Sequence, residues 1–141
     1  MSKTQSNVMT GDVPVTAGED LSGKEGYLCL ITNDSGTPKA TLPNDMADAV
    51  AFVIIEGAAS GSKATLRPLE PGRQIRLELE GTCSPGDRLV PLVDGSGDGK
   101  AQALPAAADS YFAFARAEEA GVDGQLVLAR AALDAAVVTV T

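Results

Sequence analysis

Histidine and tryptophan are absent from the 141 residues, and aromatic residues make up only 4% of the chain. Without histidine there is no usual general base near neutral pH, no Ser-His or Cys-His catalytic pair and no imidazole metal ligand. The apolar bulk therefore comes from Ala, Leu and Val, and small side chains of this kind tend to build thin cores. We expect a non-enzymatic protein that needs no metal or cofactor and whose fold is helped by association between copies.

The chain has only two cysteines, Cys29 and Cys83, which are too few and too far apart for a four-ligand zinc site. Cys29 lies in an apolar run, residues 27–31, so it is expected to be a buried thiol. Cys83 follows a Gly-Thr pair near a turn and is expected to be more exposed. Two cysteines do not make a disulfide framework, and whether they pair is left open, although a reducing compartment is favoured.

Basic residues are outnumbered, 11 against 19 acidic residues, which gives a net charge of −8. No stretch forms a basic stripe, so binding to nucleic acid is disfavoured. The longest uncharged apolar run, residues 49–55, is far shorter than the roughly 20 residues of a membrane span. With no signal-peptide pattern at the start, we expect a soluble protein that is made in a cytoplasm and does not contact a membrane.

Short β-like runs separated by turn signals occupy most of the chain and predict a mainly β fold. The clearest run is residues 74–80, where Ile75, Leu77 and Leu79 share one face and Arg76, Glu78 and Glu80 share the other. Pro-Gly pairs at 71–72 and 85–86 suit the central positions of type II turns. Seven or eight such strands indicate a small β-barrel or β-sandwich of short antiparallel strands. The Ala-rich pieces 105–108 and 130–136 are ambiguous between strand and helical turn.

The first twenty residues are polar and contain glycine, with one apolar island at Val13, Pro14 and Val15. Pro14 favours extended backbone there. We expect residues 1–20 to be an extended arm and residues 21–141 to be the β-rich domain. The arm could add a strand to a neighbouring subunit or capsid protein, which makes these three residues the candidate binding residues, while a frayed terminus without function is the alternative.

Two acidic motifs superficially resemble functional sites. The loop 94–99 (Asp-Gly-Ser-Gly-Asp-Gly) resembles a calcium loop, but Pro105 stands where the twelfth-position glutamate is needed, so a mobile hairpin loop is favoured. Glu78 and Glu80 point the same way on one strand face, but Arg76 shares that face, and such charges usually form a solvated surface. No catalytic residues are therefore predicted.

Five segments of the second half follow one another in a recognisable order of turns and strands: 80–82, 84–90, 100–103, 111–117 and 123–129. In this order, residues 50–133 resemble the capsid cement (decoration, or head-stabilising) proteins of tailed bacteriophages. In that family a Gly-Asp-x-Val-like turn precedes a strand, a small-residue strand leads into an Ala-rich segment, and a last strand follows an Asp-Gly turn. The small-residue strand departs from the usual Gly-Val-Ala pattern, because it reads Phe-Ala-Arg-Ala at residues 114–117.

The resemblance implies a β-rich protein, often a homotrimer, that binds the major capsid protein on the outside of a phage shell and stabilises it. The protein would then be located on the virion exterior after assembly in the host cytoplasm. A small β-barrel module that binds a ligand or peptide is the alternative from another class. A histidine-free enzyme that uses a carboxylate ranks last.

Overall fold

The computed structural model describes residues 11–141, which form ten β-strands and no helix. The expected mainly β fold is confirmed. Five strands build a closed barrel: β1 (Val13–Ala17), β2 (Leu28–Asp34), β3 (Thr37–Thr41), β4 (Phe52–Glu56) and β5 (Lys63–Pro68). The other five form a second sheet: β6 (Gln74–Glu78), β7 (Arg88–Pro91), β8 (Ala101–Ala103), β9 (Asp109–Ala117) and β10 (Leu126–Val140).

The barrel follows the order β1-β3-β2-β4-β5 and closes where β1 pairs antiparallel with β5. All pairs are antiparallel except β1 with β3, which are parallel. The predicted turn at 33–36 joins β2 to β3 through Ser35 and Gly36, both of which have positive φ. Positive φ at both central residues matches the twist of a two-residue hairpin, and Asn33 Oδ1 accepts a hydrogen bond from Gly36 N at 2.7 Å.

The second sheet has the order β6-β10-β9-β7-β8, with antiparallel pairing between all neighbours. Ile75, Leu77 and Leu79 are buried and Arg76 is exposed, as the alternation predicts, while Glu78 and Glu80 are half-buried. Gly72 and Gly86 take positive φ in the two predicted Pro-Gly turns. The Ala-rich segment 130–136 belongs to β10, so the strand alternative holds there.

One core joins the barrel to the second sheet. Leu28 and Val53 from the barrel pack in one cluster with Leu77, Leu79 and Val127 from the sheet. A second cluster fills the barrel interior with small and branched side chains: Val15, Ala17, Leu21, Cys29, Ala40, Ile54, Ala64 and Leu66. The two layers therefore bury their apolar faces against each other and fold as one domain.

The expected boundary between arm and domain at residue 20 is wrong, because the first strand of the barrel, β1, begins at Val13. Val15 and Ala17 are 8% and 0% exposed and belong to the barrel core. The strand closes the barrel, with Val15 opposite Ala64 on β5 and Ala17 opposite Ala40 on β3. Burial of these side chains and pairing on both sides make residues 13–17 part of the domain, not an arm. Residues 1–10, the rest of the expected arm, lie outside the described residues.

Substitution of Leu77 tests the core that the barrel and the second sheet share. Replacing Leu77, which is fully buried, with Ala should lower the free energy of unfolding by roughly 2–5 kcal/mol, because apolar contacts are lost and a cavity remains. Denaturant titration measures the loss. Arg76→Ala is the matched control on the exposed face of the same strand and should cost no more than about 1 kcal/mol. Equal small losses for both variants would contradict the observed strand orientation.

Val15 and Pro14 test whether β1 is part of the fold. Val15→Asp should lower the free energy of unfolding by roughly 3 kcal/mol or more, since it removes a buried valine and places a carboxylate in the barrel core. Pro14 is exposed on the same strand. Pro14→Asp should therefore change stability by only about 0.5 kcal/mol. Thermal or denaturant unfolding in which both variants match the wild type would show that the segment behaves as a detached arm.

Candidate functional site

The three candidate binding residues Val13, Pro14 and Val15 lie on β1 and do not reach an open sheet edge. Val13 pairs with Leu66 and Val15 with Ala64 in the barrel. Strand addition to a neighbour would require β1 to leave the barrel and expose its buried side chains. The hypothesis that these residues form a binding arm is therefore wrong for the folded domain. Only Pro14 presents an exposed side chain.

An ion pair fixes the start of β1. Arg67 on β5 donates from Nε and Nη2 to the two carboxylate oxygens of Asp12, at 2.8 and 3.0 Å. These hydrogen bonds and the positive charge hold the pKa of Asp12 below its ordinary value and raise the pKa of Arg67. The bidentate geometry joins the residue before β1 to the strand that closes the barrel.

Glu80, which shares a strand face with Glu78, is held by an ion pair. Lys100 Nζ donates to Glu80 Oε2 at 2.8 Å, so this carboxylate is neutralised by a lysine. On the same face, Arg76 Nη1 donates to Glu119 Oε1 at 2.8 Å. The hydrogen bond to Glu80 raises the pKa of Lys100, which keeps the amine protonated and unsuited to act as a base. The interpretation of this face as a charged surface agrees with its contacts.

The carboxylates of the glycine-rich loop 94–99 are used by its own backbone. Asp94 Oδ1 accepts hydrogen bonds from Ser96 N and Gly97 N at 2.9 and 2.7 Å, and Asp98 Oδ1 accepts from Asp94 N at 2.8 Å. The bonds from Gly97 and Ser96 lower the pKa of Asp94. Gly99 is buried, and its carbonyl accepts a hydrogen bond from Leu28 N at 2.6 Å. The end of the loop is therefore packed against the barrel, while residues 94–96 are exposed.

Both cysteines are buried free thiols. Burial raises the pKa of Cys29 to about 12, and burial is also the main cause of the raised pKa of Cys83. The expectation of a more exposed Cys83 is wrong, because its side chain is only 6% exposed and packs in the core shared by barrel and sheet. A protonated, buried thiol is a poor nucleophile and a poor metal ligand.

An arginine row crosses the outer face of the second sheet and was not found from the sequence. It consists of Arg88 on β7, Arg116 on β9 and Arg130 on β10, which lie directly opposite one another in neighbouring strands. All three are exposed. Arg130 pairs with Glu118 at 3.2 Å, whereas Arg88 and Arg116 form no ion pair within residues 11–141. The three residues are far apart in sequence, so only the strand register brings them together.

The row borders a surface hollow of about 400 Å³. Arg116, Arg130 and Leu133 are among its lining residues, and Leu133 is 82% exposed. Glu118 and Asp134 also line it, so the surface combines Arg116, which has no ion pair within residues 11–141, and the ion-paired Arg130 with acidic and aliphatic side chains. The exposed leucine and the arginine without an ion pair suit contact with another protein surface.

No group of three or more His, Cys, Asp or Glu side chains that could hold a metal ion occurs in the described part of the chain. Within the same residues, no helix is long and apolar enough to cross a membrane.

Asp12 gives a pH-dependent test of the ion pair at β1. Because its pKa is lowered in the folded state, the stability it contributes is present above the ordinary aspartate value of about 4 and is lost as pH falls through the folded-state pKa. Asp12→Asn should therefore lower the melting temperature at pH 7, and the difference from wild type should disappear near pH 2. A difference that is the same at both pH values would contradict the role of the charge.

Comparison with known proteins finds a solved structure with the same fold but no family that the chain matches. No protein-family model and no curated protein sequence matches the chain. Among solved structures, the chain is similar to the N base of head fiber gp8.5 in bacteriophage phi29, with 14% sequence identity and a TM-score of 0.64. The similarity covers 84% of this chain and 90% of that chain. At this low identity, the likeness shows that the two chains share a fold.

Proposed function

We propose that the protein is a non-enzymatic structural component of a phage virion that binds the outer surface of the capsid and stabilises the shell. The observation that carries this proposal is the fold shared with the base of a phage head fiber, over nearly the whole of both chains. The resemblance of residues 50–133 to capsid cement proteins supports the same role from the sequence.

The chemistry of the described surface supports a binding role over a catalytic one. Of the carboxylates in the two acidic motifs, Glu80 is engaged by a lysine, and Asp94 and Asp98 accept hydrogen bonds from backbone N–H groups. The cysteine thiols are buried. A shell component needs solubility, a fixed shape and many copies, since symmetry-related contacts add through avidity.

For the partner, we propose the major capsid protein, contacted by the arginine row. Arg88 and Arg116 are exposed and form no ion pair within the described residues. They can therefore bind carboxylates on the surface of another protein. Opposite charge also steers encounter between an added protein and a preformed shell. The proposed location is the virion exterior, after assembly in the host cytoplasm, and the proposed assembly state is a homotrimer.

A ligand-binding barrel module is less well supported. The barrel interior is filled by its own side chains, with Leu21, Ile54 and Leu66 fully buried. The hollow of about 400 Å³ lies on the outer face of the second sheet, and no aromatic side chain lines it. Small-molecule sites usually have concave apolar walls that include aromatic rings.

Attachment can be tested with particles of the encoding phage that lack this protein. Purified protein is added to the particles, which are then sedimented and assayed for bound protein and for the temperature at which they release DNA. We expect binding that saturates at a fixed number of copies per particle and raises the release temperature. Saturable binding should be missing with an unrelated acidic protein of similar size. Failure of the wild-type protein to co-sediment would overturn the proposed function.

Charge reversal tests the proposed face within the same assay. Arg88→Glu should weaken attachment by about tenfold or more, because it replaces an attractive contact with a repulsive one. Lys63→Glu is the matched control: it changes the net charge equally at an exposed position on β5, on the barrel. Equal weakening by both variants would indicate a general effect of net charge and would contradict a specific role of the arginine row.

A further inference from the structure

The far end of the second sheet consists of only two strands. Residues 109–113 of β9 pair with residues 136–140 of β10, from Ala113 opposite Ala136 to Asp109 opposite Val140. We call this segment the terminal ribbon. A register shift between Ala131 and Ala136 separates it from the rest of the sheet, and β6 pairs with β10 only up to Arg130. Within residues 11–141, the outer edge of β10 along the ribbon has no strand partner.

The two edges of the ribbon differ. The β9 side is held by the domain, since Phe112 N donates to Met46 O at 2.8 Å and the Tyr111 hydroxyl donates to Ala107 O at 3.1 Å. The β10 side presents main-chain N–H and C=O groups that can pair with another strand. A two-stranded ribbon is marginally stable in water, so a further partner would stabilise it.

The outer strand of the ribbon also lacks charge. Asp134 is the last charged side chain, and residues 135–141 read Ala-Ala-Val-Val-Thr-Val-Thr. Val137 is 52% exposed, and Leu133, just before the ribbon, is 82% exposed. Exposed, β-branched and uncharged sequence at an open edge is what natural β proteins usually avoid, unless the edge is covered by another strand or chain.

We propose that copies of this chain associate ribbon to ribbon, with the symmetry axis passing beside Val137. The inference goes beyond the proposed function, because it names a contact between two copies that is distinct from the contact of the proposed homotrimer. Because the open edge of β10 presents main-chain hydrogen-bonding groups, the segment that pairs with it must be an extended protein strand. The absence of charged side chains from residues 135–140 of the outer strand selects a second copy, because two chains of net charge −8 repel each other least where the paired strands carry none. Pairing of the same edge on two copies is a two-fold contact, so it joins copies in pairs and is separate from the three-fold contact of the proposed homotrimer.

Sedimentation equilibrium over a range of protein concentrations tests the proposal. The wild-type protein should reach the mass of an oligomer, and Val137→Asp should weaken association by about tenfold or more by placing like charges together at the axis. Val122→Asp is the matched control, because Val122 is 62% exposed but lies in the loop between β9 and β10. It should associate like the wild type. An unchanged melting temperature of the dissociated variant would show that its fold is intact.

Disulfide trapping gives a second readout that does not depend on weakened binding. Cys29 and Cys83 are buried, so Val137→Cys introduces an exposed thiol into a chain whose own thiols are protected. Mild oxidation at low protein concentration should give a covalent dimer on a non-reducing gel, since thiols beside a symmetry axis approach each other. Val122→Cys, treated in the same way, should remain largely monomeric.

The outcomes separate this inference from attachment to the shell. A monomeric wild type at all concentrations, or an oligomer in which Val137→Asp has no effect and Val137→Cys does not cross-link, would overturn the ribbon contact while leaving attachment to be judged by co-sedimentation. A variant lacking residues 2–10 should keep the oligomer. Loss of association in that variant, together with normal association of Val137→Asp, would assign the contact to the N-terminal segment and contradict the proposal.

Discussion

The layer of aliphatic side chains between the barrel and the second sheet is the contact on which the rest of the structure depends. Leu28 and Val53 on one side and Leu77 and Leu79 on the other are at most 1% exposed. The barrel is filled by small residues, and a five-stranded sheet alone would leave its inner face in water. Each layer therefore supplies the apolar surface that the other must bury, at about 25 cal/mol per Å² removed from water. The hydrogen bond from Glu78 N to Gly26 O, at 3.0 Å, fixes the two layers in register.

Local patterns in the sequence predicted the elements whose cause is local. The alternation of Ile75 and Leu77 identifies β6 and its buried face, and the Pro-Gly turns depend only on adjacent residues. The role of β1 could not be predicted from local sequence patterns. Val13, Pro14 and Val15 look like an isolated apolar island, and only the pairing of Val15 with Ala64, 49 residues away, makes them part of a barrel. The arginine row was missed for the same reason, since strand register is not visible in a single chain.

The excess of acidic residues has a structural origin in the turns. Carboxylates repeatedly accept hydrogen bonds from backbone N–H groups of their own turn. The aspartates that do so are Asp20, Asp45, Asp48, Asp87, Asp94 and Asp98. Turn aspartates are favoured because their short side chains reach backbone N–H groups a few residues before or after them in the same turn. A domain with ten short strands needs many turns, so it accumulates negative charge. The acidity of the chain therefore reflects its architecture as well as its solubility.

Two surfaces depart from this acidic character, and they adjoin each other. Arg88 and Arg116 of the arginine row line a hollow of about 150 Å³ together with Ala136 and Val138 of the terminal ribbon. Association through the ribbon would therefore bring the arginine rows of two copies to one side of the dimer. A single exposed arginine contributes little to binding in water, typically less than about 1 kcal/mol. Two rows held in a fixed arrangement bind a repeating surface with avidity that a single copy does not have. In this way the proposed contact between copies would create the multivalent cationic surface that attachment to a symmetric shell requires.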